Sequence, residues 1–213
     1  MKKVWICLLM VVVLSFLTVP SFADTVDVTF TGVTSGNVSD NGLYYISPYY
    51  LTVNGTTEAA YCIDYNHWIV SGETWKANTT LASGPSFANT YNPGNPIVYQ
   101  EMGYLVSQYI LPANAGQQAA IQQAIWDISA GGTPFGLTGQ TAYWYYQAIN
   151  YSSGWDGSGW TILTDVNNTA FSAQEFLIQT PVATPEPGTI MLLGSGILGV
   201  YGFSRKKRTQ LET

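Results

Sequence analysis

Cysteine is scarce in this chain, and its two copies fall in very different places. Cys7 lies in an N-terminal segment that begins with Lys2 and Lys3 and continues with an apolar run from Val4 to Leu17. Ser21 and Ala23 then stand before Asp24, so the segment reads as a secretory signal peptide over residues 1–23. The mature chain keeps Cys62 alone, and a lone thiol in an oxidising compartment, where cysteines are normally used in pairs, needs another explanation than a disulfide. Basic residues are as scarce. Between Asp24 and Ser204 the only one is Lys76, against twelve Asp and Glu, a net charge of about −11 for that stretch. Nucleic-acid and phosphate binding run on clustered Lys and Arg, so no nucleic-acid partner is expected. One lysine also argues against Lys–Asn isopeptide cross-links. His67 is the single histidine, with no cluster of Cys or Glu at zinc spacing, and neither a metal nor a cofactor is expected.

Residues 24–180 make one domain by size, long enough to bury a core. Thr25 to Val33 alternates, with Val26, Val28 and Phe30 on one side and Asp27 and Thr29 on the other, the period of a half-buried strand. Leu43–Val53 and Thr57–Asp64 are rich in Tyr, Ile, Val and Thr, and Asn54-Gly55 between them is a hairpin turn signal. Cys62 is therefore expected near the end of a strand. Ser71–Pro96 is rich in Gly, Pro, Asn, Thr and Ser and reads as a long surface loop or a partly ordered insertion. Ile97, Glu101, Leu105 and Tyr109 then recur at helical spacing, and Gly116–Ser129 reads as a second helix with Ile121, Ile125 and Ile128 on one face. Thr141–Asn150 reads as a third. Gly154–Gly159 breaks the chain, and Trp160–Leu163 and Ala170–Ile178 return to strand composition, giving an α+β class.

The C-terminus has three parts. Pro185-Glu186-Pro187 closes a linker over residues 181–187, residues 188–204 are apolar, and Arg205-Lys206-Lys207-Arg208 opens a basic tail over 205–213. A bilayer-crossing helix needs about 20 apolar residues, so 188–204 is short but usable as a transmembrane helix with its basic end kept cytoplasmic. This arrangement resembles the PEP-CTERM sorting signal of Gram-negative bacteria, which an exosortase recognises and processes. The resemblance implies an exosortase-type enzyme as a partner and a transient stay in the inner membrane. Release to the cell surface, or to the extracellular polysaccharide matrix of a biofilm, follows.

Sixty residues after Cys62, in Tyr61-Cys62-Ile63-Asp64, comes Gln122, in Ile121-Gln122-Gln123-Ala124-Ile125-Trp126 on the second expected helix. A thiolate can attack a glutamine carboxamide, expel ammonia and leave a thioester, an activated acyl group that reacts with amines or hydroxyls. Such a bond lasts only where the two groups are held together and water is restricted, which favours rigid elements with bulky neighbours such as Tyr61 and Trp126. Gln118 and Gln123 also lie close by in sequence. Adjacent helical residues point about 100° apart, so only one of Gln122 and Gln123 can face the thiol, and Gln122 shares its side with Trp126. The two motifs resemble those of the Cys-Gln thioester domains of Gram-positive surface adhesins, with Ile121 where that family has threonine. The resemblance implies Cys62 as the thiol and Gln122 as the acyl donor. It further implies a β-rich, sandwich or barrel-like body with a helical insertion, between the N-terminal signal helix and the C-terminal transmembrane helix. A near absence of lysine suits a domain that carries an amine-reactive group.

The expected function is single-use covalent attachment to an external amine or hydroxyl nucleophile on protein or polysaccharide, in adhesion or matrix anchoring, without enzymatic turnover. The alternative is a non-covalent structural or glycan-binding matrix protein in which Cys62 is only a buried apolar residue and Gln122 a solvated helix position. His67, five residues after Cys62, invites a Cys-His hydrolase reading, but it falls past the strand end with no third group or oxyanion-hole motif in view. Tyr143-Trp144-Tyr145-Tyr146 with Trp155 and Trp160 is the densest aromatic group, either core or a sugar-stacking surface. Asp156-Gly157-Ser158-Gly159 and Asp40-Asn41-Gly42 read as turns before calcium loops.

Overall fold

The computed structural model describes residues 25–33, 38–39, 44–110 and 115–180. Residues 1–180 and 181–213 form two units, and every described residue belongs to the first. The expected signal helix (1–23), the linker, the transmembrane segment (188–204), the basic tail and Asp40–Gly42 all lie outside the described residues. Among those described, no helix is long and apolar enough to cross a membrane.

β1 (Thr25–Val33), β4 (Tyr49–Val53), β5 (Thr56–Cys62), β8 (Phe176–Gln179), β7 (Trp160–Asp165) and β6 (Thr74–Leu81) close, in that order, into an antiparallel barrel. β2 (Val38–Ser39) and β3 (Tyr44–Tyr45) make a separate two-residue ladder. Between β6 and β7 the chain inserts α1 (Pro96–Ile110), α2 (Ala115–Ser129) and α3 (Gly139–Tyr151). The body is thus a barrel and not a sandwich, with the helical insertion in the expected place.

Strand periodicity builds two cores. Alternate residues from all six strands point inward, among them Val28, Phe30, Leu51, Ala60, Cys62, Trp75, Ala77, Leu163, Phe176 and Ile178, and Trp126 of α2 joins this cluster. The intervening residues Ile162 and Leu177 face out and pack with Met102, Leu105, Tyr109, Ile121, Ile125 and Ile128 of α1 and α2. Because β7 carries a helix layer outside and a barrel inside, all six of its residues are buried.

The Asn54-Gly55 turn joins β4 and β5 as the sequence predicts, both residues taking the positive φ (48° and 86°) that this tight hairpin needs. The third helix is longer than expected by two residues at its start and one at its end. In α1 the buried stripe is Tyr99, Met102, Leu105, Val106 and Tyr109, while Ile97 is exposed, so the expected face holds only over its C-terminal half. Two expectations fail. Ser71–Pro96 is not all loop, since β6 pairs with β1 and β7 to close the barrel. Its Asn and Thr composition conceals the alternation that sends Trp75 and Ala77 inward. Ala170–Ile178 is strand only from Phe176 onward; residues 166–175 are turns and irregular chain.

Candidate functional site

Cys62 is the last residue of β5, paired in register with Phe176 of β8, and has no solvent exposure. Its thiol donates to the carbonyl oxygen of Asp64 at 3.2 Å, and its sulfur accepts from Nε1 of Trp126 at 3.4 Å. Burial pushes the thiol up to about 12, with the Trp126 hydrogen bond pulling the other way, so it is protonated at neutral pH.

Gln122 lies in the middle of α2 and is also fully buried. Its Nε2 donates to the carbonyl oxygen of Cys62 at 2.9 Å. Its Oε1 accepts twice from Ser47, from Oγ at 2.5 Å and from the backbone N–H at 3.2 Å. The amide orientation follows from these partners, because a backbone N–H can only donate and a carbonyl can only accept. Ser47 Oγ in turn accepts the Cys62 N–H at 3.1 Å, and the Ser47 carbonyl accepts a short hydrogen bond from the Tyr109 hydroxyl. Sequence reasoning did not single out Ser47. It sits before Pro48 in a Tyr-rich run, and only barrel closure brings it against a helix 75 residues away. The fully buried Gln122 also rules out a solvated helix position.

Gln123 faces elsewhere, its Oε1 accepting from the Thr141 hydroxyl of α3 at 2.7 Å. Gln118 is half-buried. α2 therefore presents Gln122 and Trp126, one turn apart, to the barrel core, as their spacing requires.

Aromatic rings cover the far side of Trp126. Phe135 stacks on it at 5.4 Å, Tyr44 meets it edge-on at 5.8 Å, and Tyr65 packs on Phe135 at 5.4 Å. The Phe135 loop is held by its N–H donating to buried Asp127 Oδ1 at 3.0 Å, and burial raises the Asp127 carboxyl above its ordinary range. Tyr61 does not join this cover. Strand alternation turns it to the outer face, where it packs against Tyr109 and Trp160.

The Asp64 side chain points away from the thiol. Its Oδ2 pairs with Nδ1 of His67 at 2.6 Å, and the His67 ring lies 4.3 Å from that of Tyr91. His67 is thus engaged by a carboxylate and a ring beyond the strand end. Both residues line a polar cavity of about 130 Å³ with Asn66, Tyr91 and Glu175. Glu175 is fully buried, and desolvation pushes its carboxyl up to about 7 against hydrogen bonds from Thr164, the Tyr91 N–H and Tyr99. Of the aromatic group, Trp160 is core, Trp155 packs onto Gly103 of α1, and Tyr143 and Tyr146 stand more than half exposed on α3. Asp156 accepts from the N–H and hydroxyl of Ser158, as a turn residue does.

The arrangement holds a primary carboxamide and a thiol in one dry hydrogen-bonded knot, where water does not compete for either group. The proteins this chain is similar to can now be set beside that geometry. Residues 183–207 match the PEP-CTERM protein-sorting motif, which contains Pro185, Glu186, Pro187 and the basic stop Arg205, Lys206 and Lys207. The match marks an exported protein that is processed by an exosortase and sorted to the cell surface of a Gram-negative bacterium. A solved structure, the N-terminal thioester domain of a surface protein from Clostridium perfringens, is similar at 12% identity over 74% of this chain and 99% of that chain, with a TM-score of 0.43. Comparison with curated proteins returns no match.

Proposed function

We propose that this exported surface protein forms an internal thioester between Cys62 and Gln122 and uses it once, for covalent attachment to an external amine or hydroxyl nucleophile. The observation that carries this reading is the Gln122 carboxamide, fully buried and held at both ends by Ser47 and Cys62. In the first step Cys62 Sγ bonds to Gln122 Cδ, the C–N bond breaks, and the thiol proton leaves with the departing ammonia. In the second step the nucleophile bonds to Cδ, the Cδ–Sγ bond breaks, and the nucleophile's proton passes to the departing Cys62 sulfur, leaving an amide or ester on the Gln122 side chain and a free thiol. The thiol is not turned over, since the amide or ester is far less reactive than the thioester it replaces. The aromatic cover over Trp126 serves this chemistry by keeping water from the acyl group until a target docks. Adhesion or matrix anchoring is the use that suits such a device.

A second reading, non-covalent glycan binding, is favoured by the exposed Tyr143 and Tyr146 rings. One experiment separates the two. The protein is purified in its processed, exported form without amine buffers, and its intact mass is measured beside that of a Cys62→Ala variant. The covalent reading expects the wild type alone to be lighter than its sequence by one ammonia and to gain one methylamine on treatment. A full sequence mass, with Cys62 alkylated in unfolded protein from fresh samples, would leave the glycan reading standing.

A further inference from the structure

We propose that Ser47 is a catalytic residue of this site, its N–H and hydroxyl together stabilising the oxyanion that develops on Gln122 Oε1 both when the thioester closes and when a nucleophile opens it. The assignment rests on the thioester reading above and adds the residue that drives it. Attack at Cδ moves the carbonyl electron pair onto Oε1, and an anion appears where solvent is excluded. Donors already aimed at that atom act there with little reorganisation. Ser47 provides two, at 2.5 Å and 3.2 Å.

The direction of the hydroxyl proton is fixed by its surroundings. Ser47 Oγ accepts the Cys62 N–H, and Gln122 Oε1 has no proton to give, so the Ser47 proton points at Oε1. The Tyr109 hydroxyl holds the Ser47 carbonyl and so fixes the peptide that carries the next residue, Pro48. Tyr109 acts through Ser47 and is a positioning residue.

The chemistry calls for such a group. The thiol is held protonated by burial, and its proton is engaged by a backbone carbonyl instead of a base. Activation must then come from the electrophile, and Ser47 is the residue that touches its oxygen. The same contacts explain why a carboxamide, a poor acyl donor, is placed with its oxygen at donors and its nitrogen at an acceptor. The donors at the oxygen polarise the carbonyl toward the oxyanion that the reaction forms, while the acceptor at the nitrogen fixes which way round the amide lies.

The test follows both half-reactions by intact mass, in the full exported protein and a Ser47→Ala variant. Each is denatured in acid after the thioester has been opened with ammonia to restore glutamine, then refolded. Loss of ammonia over time gives the closing rate, and gain of methylamine gives the opening rate. We expect both rates to fall by about 10²-fold in Ser47→Ala, the size found when one oxyanion donor is removed. Wild-type rates in a folded Ser47→Ala variant overturn the assignment. A wild type that never loses ammonia defeats the thioester reading itself, so the two failures are distinct. Should Ser47→Ala not fold, the wild type still decides. Its thioester C=O infrared band, isolated as the difference before and after methylamine, should lie at lower frequency than that of an alkyl thioester in a non-hydrogen-bonding solvent. A band at the solvent position overturns the proposal.

Discussion

Gln122 and Gln123 are chemically identical neighbours with opposite surroundings. One is enclosed by Ser47 and Cys62, and the other ties α2 to α3 through Thr141. Substitution should separate them. Gln122→Ala is expected to abolish the ammonia deficit in intact mass, whereas Gln123→Ala should keep it and lose about 1 kcal/mol of stability in a urea melt, the worth of one hydrogen bond. An ammonia deficit that persists in Gln122→Ala would remove Gln122 from the chemistry. At this scale the sequence carried much of the site. The spacing of Gln122 and Trp126 placed both on one helix face, and a strand ending near Cys62 set the thiol beside it. Ser47 was not legible, because nothing local distinguishes a serine before proline, and its role arises from contacts 15 and 75 residues away.

Helices and strands differ in how far their own residues announce them. α2 was readable from Ile121, Ile125 and Ile128, which recur at helical spacing on one buried face. β6 was not, because its inward alternation runs Trp75, Ala77, Thr79 between polar residues such as Thr74, Lys76 and Asn78, with too few apolar side chains to announce a strand. α1 holds a packing detail of the same kind. At Gly103 an added Cβ would lie 2.2 Å from the Trp155 ring, so the tryptophan occupies the space a side chain would take. In an isolated helix Gly→Ala gains up to about 1 kcal/mol. Here we expect Gly103→Ala to destabilise by about 1–3 kcal/mol in denaturant melts, as overpacking does, with Trp155 fluorescence shifting as the ring is displaced. A stabilised variant would show that the ring moves aside freely.

The whole domain should respond to pH through Glu175. Its folded carboxyl titrates near 7 against an ordinary 4.5, so between those values the folded protein binds more protons than the unfolded chain. Stability contributed by this group is therefore present at low pH and lost as pH rises through about 7. The denaturation free energy should fall by up to about 3 kcal/mol between pH 5 and pH 8, and Glu175→Gln should flatten that slope. An unchanged slope in the variant would assign the effect to other groups. Chain topology has a mechanical side as well. β8 lies between β5 and β7, hydrogen-bonded to both, and Cys62 pairs with its first residue, Phe176, while Gln179 ends it. A target bonded at Gln122 would pull on α2, and chain tension arriving beyond Thr180 would enter the barrel through this one strand. Such a load runs along the strand and strains two ladders of backbone hydrogen bonds together, in shear, instead of peeling them apart one at a time.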